Sequence, residues 1–289
     1  MEEKRESLVR NNLTRQIKSF SVEKGDLHQL FNILRERNNA AGDIELAKFK
    51  KMDQTDEVYE KNKKFLKESF ELKLTVSGTD GRELYGSVSE IFDSPNFPDD
   101  LGSIFVSSDI TLHTAYNLHA RNYFQLLLDF NKPQVLDLSF LPSQATPNAS
   151  NICVTGYNAT WVHGLFNEFN NFIDKHPSRL PWIHRHSVYD LLLYIFGLPF
   201  GFWMTYKLSG ILNKVFGTFS VFIQSASYVY VFFVSLVIFR LLFHYARWIW
   251  PLVEYQGGGN RALKHRITLV ALALGIISGV IYDVIKFII

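Results

Sequence analysis

Two hydrophobic rhythms divide this 289-residue chain. Up to about Leu180 the apolar residues recur at helical spacing and then at alternate positions; beyond it they run almost without interruption. Leu27, Leu30, Phe31, Leu34, Ala41 and Ile44 form a helical stripe, opened by Asp26 and Gln29 in a capping-box-like start. Phe65, Leu66 and Phe70 mark a second short helix over about 58–70. Residues 1–68 are therefore read as helical, with Gly42 weakening the first helix without breaking it. From Glu71 the rhythm becomes alternation. Leu72, Leu74 and Val76, a turn at Thr79–Arg82, and then Leu84 and Gly86 before Val88 predict a hairpin. Further strands are expected at 103–107, 123–130, 135–140 and 152–157. Thr160 starts an amphipathic helix with Trp161, Leu165, Phe169 and Phe172 on one face, ending at His176-Pro177.

The last rhythm is that of a membrane protein. Val215 to Phe239 is free of charge for 25 residues, enough to cross a hydrocarbon core of about 30 Å. Three spans are expected, at about 188–212, 215–243 and 267–289, the first bent by Pro199 and closed by a tight turn over Lys207 to Lys214. The fold class is thus an α+β domain, N-terminal helices and an antiparallel meander closed by one helix, followed by a bundle of about three transmembrane helices. Its parts are an N-terminal helical segment (1–68), an α+β sensor domain (69–180) and a transmembrane domain (181–289).

Charge sharpens this division. Residues 181–289 hold three acids (Asp190, Glu254, Asp283) and nine Lys or Arg, against 25 acids and 21 Lys or Arg in 1–180. Lys175, Arg179 and Arg185 precede the first span, and Arg240, Arg247, Arg261, Lys264 and Arg266 lie between the second and third. This bias places the soluble part in the cytoplasm of a multi-pass inner (cell) membrane protein, with the bilayer as its first partner. The start of the chain lacks the apolar core of a signal peptide, and one cysteine, Cys153, excludes an internal disulfide framework.

No catalytic residue, metal site or cofactor is indicated. His113 and His119, and His184 and His186, lack metal-ligand spacing with carboxylates or thiols. Gly257-Gly258-Gly259 follows no strand signal and precedes no Gly-Lys-Ser/Thr, so it is a flexible reversal rather than a phosphate loop. The chain is not expected to be an enzyme.

The spans carry more polar chemistry than anchoring requires. Gln224, Ser227, Tyr228 and Ser235 form a polar stripe in the second, for pore lining or interhelical bonds. Ala271, Gly275 and Gly279 fall four apart in the third, where small residues let helices approach closely. Asp283 is expected to pair with Lys286 one turn later and reach the surface; the alternative is an acidic ring at the mouth of a cation pathway. Because three spans enclose no pathway, conduction requires a homo-oligomer, with a tetramer favoured.

The α+β domain, the Thr160-Trp-Val-x-x-x-Phe166-x-x-Phe169-x-x-Phe172-Ile173 helix and the C-terminal spans together resemble membrane effectors of bacterial antiphage defence, in particular the membrane component of Hailong-type systems. The resemblance is architectural and covers the whole chain. It implies an oligomeric channel, held shut by a nucleotide or short single-stranded DNA made by a partner nucleotidyltransferase. Cations for such a ligand are Arg10, Arg15, Lys18, Arg35, Arg37, Lys48, Lys50 and Lys51, interleaved with Phe20, Phe31 and Phe49. Residues 74–180, with 11 acids and five basic residues, offer no comparable surface. The competing reading is a membrane-tethered interaction module whose spans only anchor a partner-binding domain.

Overall fold

The computed structural model describes residues 9–136, 144–257 and 261–288. It shows an N-terminal α+β region built on an antiparallel six-stranded sheet, and three helices at the C-terminus long and apolar enough to cross a membrane. The backbone separates into two compact units. One holds residues 1–131, 148–179 and 252–258, the other 132–147, 180–251 and 259–289.

In the first unit the strands are β1 (Asn11–Gln16), β2 (Phe20–Val22), β3 (Lys73–Gly78), β4 (Glu83–Ser87), β5 (Leu101–Ser107), β6 (Asn122–Asp129), β7 (Asn151–Gly156) and β8 (Val253–Tyr255). The large sheet has the order β1-β7-β6-β5-β3-β4, antiparallel throughout. Burial alternates along β3 and β6, so Leu74, Val76, Phe124, Leu126 and Leu128 face the core while Thr75, Tyr123 and Gln125 lie on the opposite face. The β3–β4 turn uses Gly81 at φ +83°, and Asp80 accepts the Arg82 backbone N–H at 3.1 Å.

Three helices pack on the core face: α1 (Lys24–Lys48), α3 (Val88–Phe92) and α5 (Ala159–Lys175). Helix α2 (Asp56–Ser69) packs on α1 and on α4 (Ile110–Tyr116). Trp161, Leu165, Phe169 and Phe172 are all buried on α5, as their spacing requires. Asn158 caps that helix by accepting the Trp161 N–H at 3.1 Å. Helix α1 runs unbroken through Gly42, where the backbone lies against the Phe70 ring. Its N-cap is Glu23, and Asp26 is the third helical residue, accepting the Glu23 N–H at 3.1 Å.

Three sequence expectations fail. Residues 9–23 are not helical, since β1 and β2 precede α1; residues 1–8 lie outside the described residues. β1 has a single apolar residue, Leu13, so its strand character comes from pairing with β7 rather than from its own pattern. Val135 and Leu136 are not in a strand; the rest of the expected 135–140 strand lies outside the described residues. Finally, Lys207 to Lys214 is helix, not turn.

The spans of the second unit are Val188–Phe216, Val221–Ile249 and a third within the helix Arg261–Ile288. The first two form a hairpin reversed at Gly217–Ser220. A π-turn at Leu193–Gly197 sits just ahead of Pro199, relieving the missing N–H and the ring clash that a proline brings to a helix. Gly197 meets Phe239, and Gly201 meets Phe232 and Leu236, so both glycines allow the hairpin to close.

Candidate functional site

The eight cations named from the sequence do not converge on one groove. Arg15 donates to Asn170 at 2.8 Å and to Asp174 at 2.6 Å, tying β1 to α5. Arg37 donates from Nε to Glu168 at 2.8 Å and pairs with it through a second nitrogen, while its carbonyl accepts from Trp161 Nε1 at 2.8 Å. The hydrogen bond from Arg37 holds the Glu168 carboxyl below the usual range. Arg10 donates to the Tyr123 hydroxyl at 2.5 Å. Lys51 pairs with Asp56, Arg35 is half-buried, and Lys18 and Lys50 are exposed. Lys48 alone lines a cavity, of about 460 Å³, between the end of α1, α2 and the segment from α4 to β6.

A second polar cluster surrounds Asp109. This carboxylate is buried and accepts from the Ser107 hydroxyl at 3.0 Å, while its other oxygen lies 2.7 Å from His119 Nδ1. The half-exposed His119 ring stacks between His113 (4.7 Å between centroids) and Tyr123 (5.3 Å). Among the described residues, no group of three or more His, Cys, Asp or Glu side chains is arranged to hold a metal ion.

In the second unit the polar residues of the second span have separate tasks. Gln224 Nε2 donates to the carbonyls of Gly217 and Phe219 at 3.1 and 3.0 Å, and Tyr228 donates to Asn213 at 2.7 Å, so both stitch the hairpin turn. Ser227 and Ser235 donate to carbonyls of their own helix, those of Gln224 and Val231. On the third span Gly279 faces the Trp203 ring, Gly275 opens to empty space, and Ala271 is exposed.

Asp283 does not depend on Lys286 for its hydrogen bonds. It accepts from Trp203 Nε1 at 2.6 Å and from Lys207 Nζ at 2.6 Å, both on the first span. The sequence expectation offered Lys286 on the same helix or an acidic ring between copies, and no partner on the first span. A residue 76 positions earlier supplies the partner, because the first and third spans lie together at that level.

Next to the spans is a buried polar knot. Arg247 donates to the carbonyls of Ile183 (2.9 Å) and Gln144 (3.2 Å) and lies over the Phe243 ring at 4.7 Å. His184 Nε2 lies 2.6 Å from the Trp250 carbonyl and therefore carries the proton, and Nδ1 accepts from the Thr146 hydroxyl at 2.8 Å. Burial, reinforced by the Arg247 charge and opposed by the Trp250 carbonyl, pushes the imidazole down to about 4. His184 is thus a neutral structural residue, placed by α-helical and loop segments that the sequence pattern did not connect.

The feature with most bearing on function is β8. This strand lies between the second and third spans in sequence, yet it pairs in parallel with β2, Phe20 opposite Val253 and Val22 opposite Tyr255. The Phe20 N–H donates to the Leu252 carbonyl at 2.9 Å, and the Gln256 N–H to the Val22 carbonyl at 2.7 Å. Leu252 and Val253 belong to the main core. The sequence reading placed no strand ahead of the triple glycine, and β8 corrects it: a three-residue strand has no period to detect, while Gly258 and Gly259 lie outside the described residues.

Comparison with protein-family models, with curated proteins and with solved structures found no match to this chain. Its three apolar helices alone indicate a membrane protein.

Proposed function

We propose that the chain is an oligomeric membrane effector, an ion channel or pore whose opening is controlled by its α+β unit. The observation that carries this reading is the membership of residues 252–258 in the α+β unit. An anchor needs one covalent passage from the soluble part to the spans. Here the chain passes between the units five times, at 131/132, 147/148, 179/180, 251/252 and 258/259. Two of these passages flank β8 and lead within a few residues into the second and third spans. A shift of β8 against β2 therefore pulls on both helices through short stretches of covalent chain, each residue of which reaches at most about 3.6 Å.

The third span supports the same reading. Among its described residues, Lys264–Lys286, none is buried inside the protein, and Asp283 ties it to the first span. A helix with no buried face can change its packing once that tie is released. Conduction is the work of several copies, with the soluble units facing the cytoplasm and a nucleotide or short DNA as the controlling ligand, in a role in antiphage defence as the family resemblance implies.

The test is ion flux from liposomes containing the full chain. The proposal expects flux above that of empty vesicles, changed at least tenfold by Val253→Gly, which loosens β8 without removing a span. Oligomeric, correctly inserted protein with no flux in either form overturns it.

A further inference from the structure

The cavity beside Lys48 is built for more than packing. At about 460 Å³ it falls in the size range of small-molecule sites, roughly 300–1,000 Å³. Its walls combine two kinds of group that are seldom left facing each other. Lys48 and Arg121 bring two positive charges to it, while Phe49, Phe65 and Tyr116 contribute rings. Glu45 answers Arg121, accepting its backbone N–H at 2.6 Å with the guanidinium Nε 3.7 Å away. Desolvation and the neighbouring Arg121 both lower the Lys48 ammonium below its usual range.

The rings are already ordered. Phe49 stacks on Tyr59 at 5.5 Å and 9°, and Phe65 meets Tyr116 edge-on at 5.2 Å. Flat groups held this way make stacking surfaces at low entropic cost. Asn62 donates to Gln54 at 3.3 Å, adding an amide pair to the wall.

We infer that this cavity is a binding site for a small anion carrying a flat ring, the anion held by Lys48 and Arg121 and the ring against Phe49, Phe65 and Tyr116. Helix α2 is the movable wall. Ser69 is its one buried residue, and it joins α1 through a seven-residue link that includes Met52 at φ +45°. Ligand binding draws α2 against α1 and orders it. The regulatory meaning of this event rests on the reading of the chain as a gated effector; the binding itself does not.

The experiment is calorimetry on the full chain in detergent with four probes: benzoate and uridine 5′-monophosphate, and their ring-free counterparts acetate and inorganic phosphate. A ring-bearing anion should bind at least tenfold more tightly than its counterpart. Lys48→Gln should weaken it about tenfold, while Lys73→Gln, on β3 and off the cavity, should not. Hydrogen exchange should slow in 56–69 on binding. No binding by either ring-bearing anion overturns the site. So does equal affinity for the ring-free counterparts, or equal loss in the two lysine variants. Binding with no change in ion flux supports the site and removes the gating reading; flux control without binding does the reverse.

Discussion

Lys207 Nζ lies 2.6 Å from Asp283 Oδ1, joining the first membrane span to the third. Trp203, four residues before Lys207, fills the other carboxylate oxygen from the same helix face. A charge in a span is costly when alone and tolerable when paired. The two charges should therefore be destabilising singly and dispensable together. Asp283→Asn and Lys207→Met are each expected to lower the thermal unfolding midpoint in detergent by several degrees. The double variant Lys207→Met with Asp283→Leu should recover most of that loss. Additive losses in the double variant would show that the pair does not interact.

His184 makes stability depend on pH. Its value falls from 6.5 to about 4 in the folded protein, so the unfolded chain takes up a proton first as pH drops. The stability it contributes is fully present above pH 6.5 and is lost as pH falls toward 4, by on the order of 3 kcal/mol at the limit. Denaturation midpoints at pH 7.5 and 5 should differ, and His184→Gln should flatten the difference. An unchanged pH slope in the variant would assign the effect to other groups.

Phe20 is fully buried where β2 meets β8 and lies edge-on to Phe172 at 6.4 Å. Phe20→Ala should cost about 3–5 kcal/mol, the usual range for truncating a core phenylalanine. Because β8 is part of that core, the Gln256 amide should also lose its protection against hydrogen exchange. Retained protection at Gln256 would separate β8 from the core.

Asn158 caps α5 and also receives support from Asn122, whose Oδ1 accepts the Asn158 N–H at 2.9 Å. Asn158→Ala should cost about 1 kcal/mol, and Asn158→Ser much less, in chemical denaturation. Equal losses would mean that the cap bond is not what Asn158 contributes.

Much of the fold was legible because the information is local. The α5 face, the β3–β4 hairpin and the charge-free run of the second span each follow a period or a length that neighbouring residues set by themselves. The span ends were less so: Lys207 and Lys214 looked like a turn, but helix continues to Phe216 because the hairpin packing of Gly197 and Gly201 and the Lys207–Asp283 pair support it. The candidate site was hardest to read. Arg15 and Arg37 were named for their charge, and only their ion pairs with Asp174 and Glu168 reveal that they hold α5 in place.

By itself, then, the sequence determined α1, α2, α5, the alternating strands β3 to β7 and the three apolar lengths, since these depend on residues a few positions apart. Tertiary structure alone decided that the polar segment Asn11–Gln16 is an edge strand, that residues 253–255 return to pair with 20–22, and that Lys48 and Arg121 share one cavity. Each of those joins residues far apart in the chain. Such pairings are selected by the closure of a whole core, where backbone groups and charges must find partners, and no short window of residues carries that requirement.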